Sequence, residues 1–207
     1  IVHLLANGYE PWRIMALTFT NKAAREMKER ISSVVGDKVA SRLWMGTFHS
    51  VFLHILRNHA DMLGFRRDFT IYDAADTKSL VNTIIKDLNL DAKVYKPGTI
   101  ASVISGAKNA LVSADQYLAD PDYMKRDAAC SRPLTGRIYK LYVERCRLAQ
   151  AMDFDDILFY MNVLLRDHPE VLRHYQEYFR YILVDEYQDT NFAQHLIISQ
   201  LSRLTRN

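Results

Sequence analysis

Two adjacent carboxylates, Asp185 and Glu186, end the short apolar run Arg180-Tyr181-Ile182-Leu183-Val184. A run of this length, rich in β-branched and aromatic residues, reads as a buried strand. In an open parallel sheet, ligands gather at the carboxyl ends of the strands. Successive side chains on an extended backbone point to opposite faces, so the two acids are expected to take different tasks. One can hold Mg²⁺, directly or through water, while the other polarises an attacking water, which is the division phosphoryl transfer asks for. Taken alone, the pair is equally well an exposed acidic strand end.

Two further stretches carry chemistry at strand-to-helix turns. In Thr18-Phe19-Thr20-Asn21-Lys22, a helix N-terminus offers free N–H groups and a positive dipole end to phosphate oxygens. Phe19 beside it offers a ring on which a base can stack, worth about 1–3 kcal/mol in single-strand binders. The plainer reading has Phe19 filling core and Thr20 capping. Gly46-Thr47-Phe48-His49-Ser50 repeats the arrangement one unit later, with Thr47 and Ser50 as phosphate donors and His49 able to stack or hydrogen-bond. Asp153, Asp155 and Asp156 are either metal ligands or acids complementing a helix dipole, and the capping role is favoured. His54, His59, His168, His174 and His195 show no ligand spacing.

The elements that must position these residues follow from apolar periodicity. A strand at 13–19 leads into a helix capped by Thr20, with Ala23, Met27 and Ile31 on one face. A second strand at 43–47 leads into a helix at 48–63, and 69–72 reads as a third strand. Two βα units in the first 65 residues indicate a parallel α/β sheet flanked by helices. From Asp73 to about residue 152 only helical patterns appear, which reads as an inserted all-helical subdomain. A helix opened by Asp153-Phe154-Asp155-Asp156, another from Pro169, the organising strand, and a last helix capped by Thr190 complete the chain. The expected domains are therefore 1–72, 73–152 and 153–207.

Composition sets outer limits. With 207 residues, 49% hydrophobic and 25% charged, the chain can bury a proper core. No apolar run approaches the ~18 residues of a membrane span. Cys130 and Cys146 lack a CxxC spacing and read as free thiols in a reducing, cytoplasmic setting. Residues 1–72 carry ten Lys/Arg against six Asp/Glu, and 151–207 carry five against nine. A basic front with an acidic rear suits a polyanion surface beside a metal site. The chain opens without Met and closes with helical periodicity running to Asn207, so a piece of a larger protein is expected.

These motifs, taken together, resemble the UvrD/Rep/PcrA group of superfamily 1A DNA helicases over the whole length. Thr18-Phe19-Thr20-Asn21-Lys22-Ala23-Ala24-Arg25-Glu26-Met27 is similar to motif Ia, and Gly46-Thr47-Phe48-His49-Ser50 to motif Ib. Asp153-Phe154-Asp155-Asp156 is similar to the return into the first motor domain, and Val184-Asp185-Glu186-Tyr187-Gln188-Asp189-Thr190-Asn191 to motif II, the Walker B element. The resemblance implies an incomplete RecA-like motor domain split by a helical insertion. It also implies ATP with Mg²⁺ held by Asp185, Glu186 as general base, and Gln188 coupling nucleotide state to DNA. Thr18, Phe19, Thr20, Asn21, Thr47, Phe48, His49 and Ser50 would line a single-strand path, with translocation 3′ to 5′ and duplex separated ahead. No GxxxxGK[ST] loop is present in the sequence, so this chain alone is not expected to hydrolyse ATP. Two other readings stay open: a metal-dependent nuclease using Asp153, Asp155, Asp185, Glu186 and Asp189, and a non-catalytic DNA-binding module.

Overall fold

Parallel strand pairing orders the part of the chain that carries the candidate residues. The computed structural model describes residues 1–205 in two compact units, Ile1–Asn58 with Tyr160–Asn207, and His59–Phe159. The first unit opens with α1 (Val2–Ala6), β1 (Ile14–Thr18), α2 (Asn21–Val35), the short α3 (Asp37–Ala40), β2 (Trp44–Thr47) and α4 (Phe48–Asn58). Every β1 side chain is buried, as a central parallel strand covered on both faces requires. α2 starts where Thr20 turns extended and its Oγ1 accepts the Ala23 N–H at 3.1 Å. It stops at Gly36, whose φ of +82° favours glycine. α4 ends at Asn58, short of the expected 63, because Ala60–Leu63 tighten into a 3₁₀ turn closed by left-handed Gly64.

The second unit holds β3 (Thr70–Tyr72), α5 (Ala74–Asp87), α6 (Pro97–Asn109), α7 (Ala114–Ala119), α8 (Pro121–Ala129), α9 (Thr135–Leu148), β4 (Ala151–Asp153) and the first residues of α10 (Phe154–Asp167). Two of its helices start in reciprocal boxes, Asp73 with Asp76 at α5 and Ser113 with Gln116 at α7. Val81, Ile84, Ile85, Ile100, Ile104 and Ile138 fill the core between α5, α6 and α9, each fully buried apolar side chain contributing about 1.5–3 kcal/mol. β3 pairs in parallel with β4, Thr70 against Ala151 and Tyr72 against Asp153. Between these two strands the stretch carries helices alone, as expected, and β4 shows no sequence signal because three residues are too few to display a period.

The chain then returns to the first unit with α11 (Pro169–Tyr178), β5 (Tyr181–Val184) and α12 (Phe192–Ser202). The sheet order is β2-β1-β5, all parallel. α12 is capped by Asn191, boxed with Gln194, and not by Thr190, whose hydroxyl donates instead to the Tyr187 carbonyl at 2.9 Å. The buried Asn162 amide donates to the Ala193 carbonyl at 3.1 Å, tying α10 to the start of α12. The expected helical continuation to Asn207 falls, at its last two positions, outside the described residues. Among the described residues no helix is long and apolar enough to cross a membrane.

In the second unit a single lysine holds two of the three acids at 153, 155 and 156. Lys108 lies on the buried stripe of α6 with Ile100 and Ile104, where an unpaired ammonium is costly. Its Nζ sits 2.6 Å from Asp153 Oδ2 and 2.7 Å from Asp156 Oδ1, with all three side chains buried. The Tyr142 hydroxyl donates to Asp153 Oδ2 at 2.6 Å. The two acids also cap α10 reciprocally, Asp156 N–H to Asp153 Oδ1 at 2.9 Å and Asp153 N–H to Asp156 Oδ2 at 3.0 Å. Asp155 Oδ1 accepts from the Asn109 amide at 2.8 Å. Burial opposes ionisation of Asp153, yet the Lys108 charge and the bonds from Lys108 and Tyr142 hold it below the usual carboxylate range. Burial, opposed by Lys108 and reinforced by the Asp153 charge, pushes Asp156 up to about 6. Lys108→Met should lower stability by about 3–5 kcal/mol at neutral pH, because two buried acids lose their counter-charge. Both carboxyls of the variant then titrate above their unfolded values, so the folded form takes up protons as pH falls and stability recovers toward about pH 5. Urea unfolding at the two pH values checks this; a deficit independent of pH would assign the loss to packing alone.

Candidate functional site

The carboxyl ends of the three paired strands form one rim. Thr18 aligns with Thr47, and Leu17 with Val184. The ladder runs one residue past β5, where the Asp185 N–H donates to the Leu17 carbonyl at 2.9 Å. Asp185 is thus fixed by backbone while its carboxylate is exposed. Glu186 leaves the ladder with φ 51° and ψ 48°, so the expectation of an extended pair with alternating side chains is corrected. The acids diverge because of a left-handed turn, a conformation that costs a non-glycine residue free energy and persists where its surroundings enforce it. Here the Glu186 carbonyl accepts the Asp189 N–H at 2.9 Å, closing the 3₁₀ turn Tyr187–Asp189. The Tyr187 hydroxyl bonds His195 Nδ1 at 2.6 Å and anchors the turn on α12. The Gln188 amide nitrogen donates to Glu186 Oε2.

Beside Asp185 opens a cleft of about 420 Å³, walled by Leu183 and Val184 on one side and by Ala23, Met27 and Ile31 of α2 on the other. Among the described residues no group of three or more His, Cys, Asp or Glu could hold a metal ion. Exposed Asp185 shares the cleft lining with Glu26 of α2, and so few carboxylates suit Mg²⁺, which keeps its waters and is shared between one or two carboxylates and substrate phosphates. They do not suit an all-protein cage. A two-metal nuclease centre needs several converging acids that hold two metals about 4 Å apart. Asp153 has no capacity to spare for one, its oxygens being occupied by Lys108, Tyr142 and the α10 cap.

The two turns next to the acids divide into surface and support. Thr20 and Asn21 are exposed, and Phe19 is half-buried with its ring 5.2 Å from that of Phe48. Phe48 is 1% exposed and packs in turn on Phe52 at 5.9 Å, so it backs Phe19 and cannot itself receive a base. Thr18 and Thr47 are buried as well. Thr47 Oγ1 accepts the Ser50 N–H at 3.2 Å and donates to Ser50 Oγ at 3.1 Å, while Ser50 Oγ donates to the Thr47 carbonyl at 2.9 Å. Both hydroxyl protons expected to reach phosphate are therefore spent inside the turn. Of the eight residues expected along a strand path, Phe19, Thr20, Asn21, His49 and Ser50 are at least partly exposed, and Thr18, Thr47 and Phe48 are buried.

The sequence model for the UvrD/REP helicase N-terminal domain matches residues 1–207. The chain belongs to that family. It is 41% identical over 208 residues to an ATP-dependent DNA helicase PcrA of Bacillus subtilis (strain 168), covering 100% of this chain and 27% of the relative. A PcrA of Leuconostoc citreum is 40% identical over the same coverage. An ATP-dependent DNA helicase UvrD1 of Mycobacterium leprae is 42% identical over 91% of this chain and 24% of its own length. The chain spans about a quarter of the curated relatives it matches.

In this UvrD/REP domain, Gly46 lies under the second turn for a steric reason that sequence spacing does not reveal. A Cβ there would stand 2.5 Å from Ser50 Oγ and 3.3 Å from the Val51 side chain. Gly46→Ala should therefore expel the Ser50 hydroxyl from its bond to Thr47 and cost about 1–3 kcal/mol, measured by urea unfolding. An alanine variant as stable as the parent would mean that the turn yields without cost.

Proposed function

We propose that this chain is the N-terminal motor segment of an ATP-dependent DNA helicase that moves 3′ to 5′ on single-stranded DNA and separates duplex, acting in repair or replication in the cytoplasm. In this reading 1–72 and 153–207 build the RecA-like motor domain around the helical insertion 73–152. The observation that carries it is the rim itself: one parallel sheet presents two acids beside two turns suited to a nucleic-acid strand. Mg-ATP, when bound, supplies the phosphoryl group whose hydrolysis drives movement. Asp185 would hold the Mg²⁺ at the cleft, directly or through water. Glu186 would orient the attacking water and accept its proton, and Gln188 would couple that acid to the DNA side. Phe19, seated on Phe48, would stack a base, and the exposed N-terminus of α2 at Thr20 and Asn21 would meet the neighbouring phosphate.

The chain contains no GxxxxGK[ST] phosphate loop, and arginines stabilising transition-state charge are worth about 10³–10⁵ in rate. This segment alone is therefore expected to release no phosphate from Mg-ATP, with or without DNA; protein-dependent release would contradict that. The DNA reading is tested by titrating a fluorescent single-stranded oligonucleotide at low salt. Weak binding that falls steeply with added salt is expected, with Phe19→Ala losing about 1–3 kcal/mol for one unstacked base. Binding indifferent to salt and to Phe19→Ala would overturn the assignment of this rim to DNA.

A further inference from the structure

The Gln188 side chain has one prominent polar contact, and it is on the acid proposed as general base. Its amide nitrogen donates to Glu186 Oε2 across a turn of two residues. Both side chains are exposed, so the contact is local and does not follow from packing around them. The backbone makes it possible: Glu186 is left-handed, and the 3₁₀ turn that follows carries Gln188 back over it. That turn is held at both ends by groups other than Gln188. The Glu186 carbonyl takes the Asp189 N–H, Thr190 closes on the Tyr187 carbonyl, and the Tyr187 hydroxyl is bonded to His195. The amide of Gln188 can thus leave Glu186 without the turn unfolding.

A carboxylate oxygen that accepts a hydrogen bond has a lone pair engaged and is less available to a water than a free one. We infer that Gln188 is a positioning residue that restrains Glu186 in the chain without DNA, and that engagement of DNA draws the amide away and releases the acid to its water. The inference rests on the assignment of Glu186 as general base. It assigns the exposed amide a definite partner in the resting state, beyond a general coupling role.

The test uses the full-length helicase carrying this chain, with ATP turnover measured with and without single-stranded DNA. Gln188→Leu, which removes the donor at an exposed position, should raise kcat without DNA by about tenfold, equivalent to ~1.4 kcal/mol, with KM for ATP unchanged. The ratio of stimulated to unstimulated turnover should fall accordingly, and Gln188→Asn, too short to hold Glu186, should behave like the leucine variant. An unstimulated kcat that stays level or drops in both variants overturns the restraint. Glu186→Gln separates this failure from failure of the underlying assignment: if that variant turns over at near the parent rate, the base is misassigned. If it is inactive while Gln188→Leu gains nothing, only the restraint falls.

Discussion

The backbone ladder between β1 and its two parallel neighbours is the constraint on which everything at the rim depends. Its register places Thr18 beside Thr47 and Leu17 beside Val184, so three chain segments far apart in sequence end at one level. The bond from the Asp185 N–H to the Leu17 carbonyl extends that ladder by one residue. It fixes one acid by main chain alone, without spending its carboxylate. A one-residue slip would move β5's side chains to opposite faces and carry Asp185 out of the cleft. β1, apolar from Ile14 to Leu17 and buried along its whole length, is what makes such a slip expensive.

The two units handle charge in opposite ways. In the second, Asp153 and Asp156 are buried, paired with Lys108 and committed to capping α10. Burial there raises the Cys146 thiol to about 12 as well, which keeps it protonated and inert. At the rim, Asp185, Glu186 and Gln188 are exposed and are held by backbone geometry, not by counter-ions. Acids left at the surface without a counter-ion keep most of their lone pairs open to whatever reaches them. Acids that hold a fold together must spend them. The same residue types therefore serve structure in one unit and leave chemistry available in the other.

Most of the architecture was legible because it rests on local signals. Helix starts at Thr20, Asp73 and Pro97, and the apolar runs that became β1, β2 and β5, all carry their cause within a few residues. What escaped depends on partners distant in sequence. β4 is three residues long and exists because β3 lies beside it. Lys108 could have been noticed, since it falls four residues after Ile104 on an apolar stripe, but its two acids lie 45 and 48 residues further on. The rim residues were legible as a set, through motif strings, and not as individuals. No spacing rule says that Phe48 sinks to support Phe19, that the Thr47 and Ser50 hydroxyls satisfy each other, or that Glu186 turns left-handed.

The most direct test of the shared rim is to crosslink a single-stranded oligonucleotide bearing photoreactive bases to the chain and map the adducts by mass spectrometry. Adducts concentrated in the turns at 18–21 and 47–50, and competed away by unmodified strand, are the predicted result. Adducts at the opposite end of the sheet, on Trp12, Trp44 or Tyr178, with none at the two turns, would contradict the account.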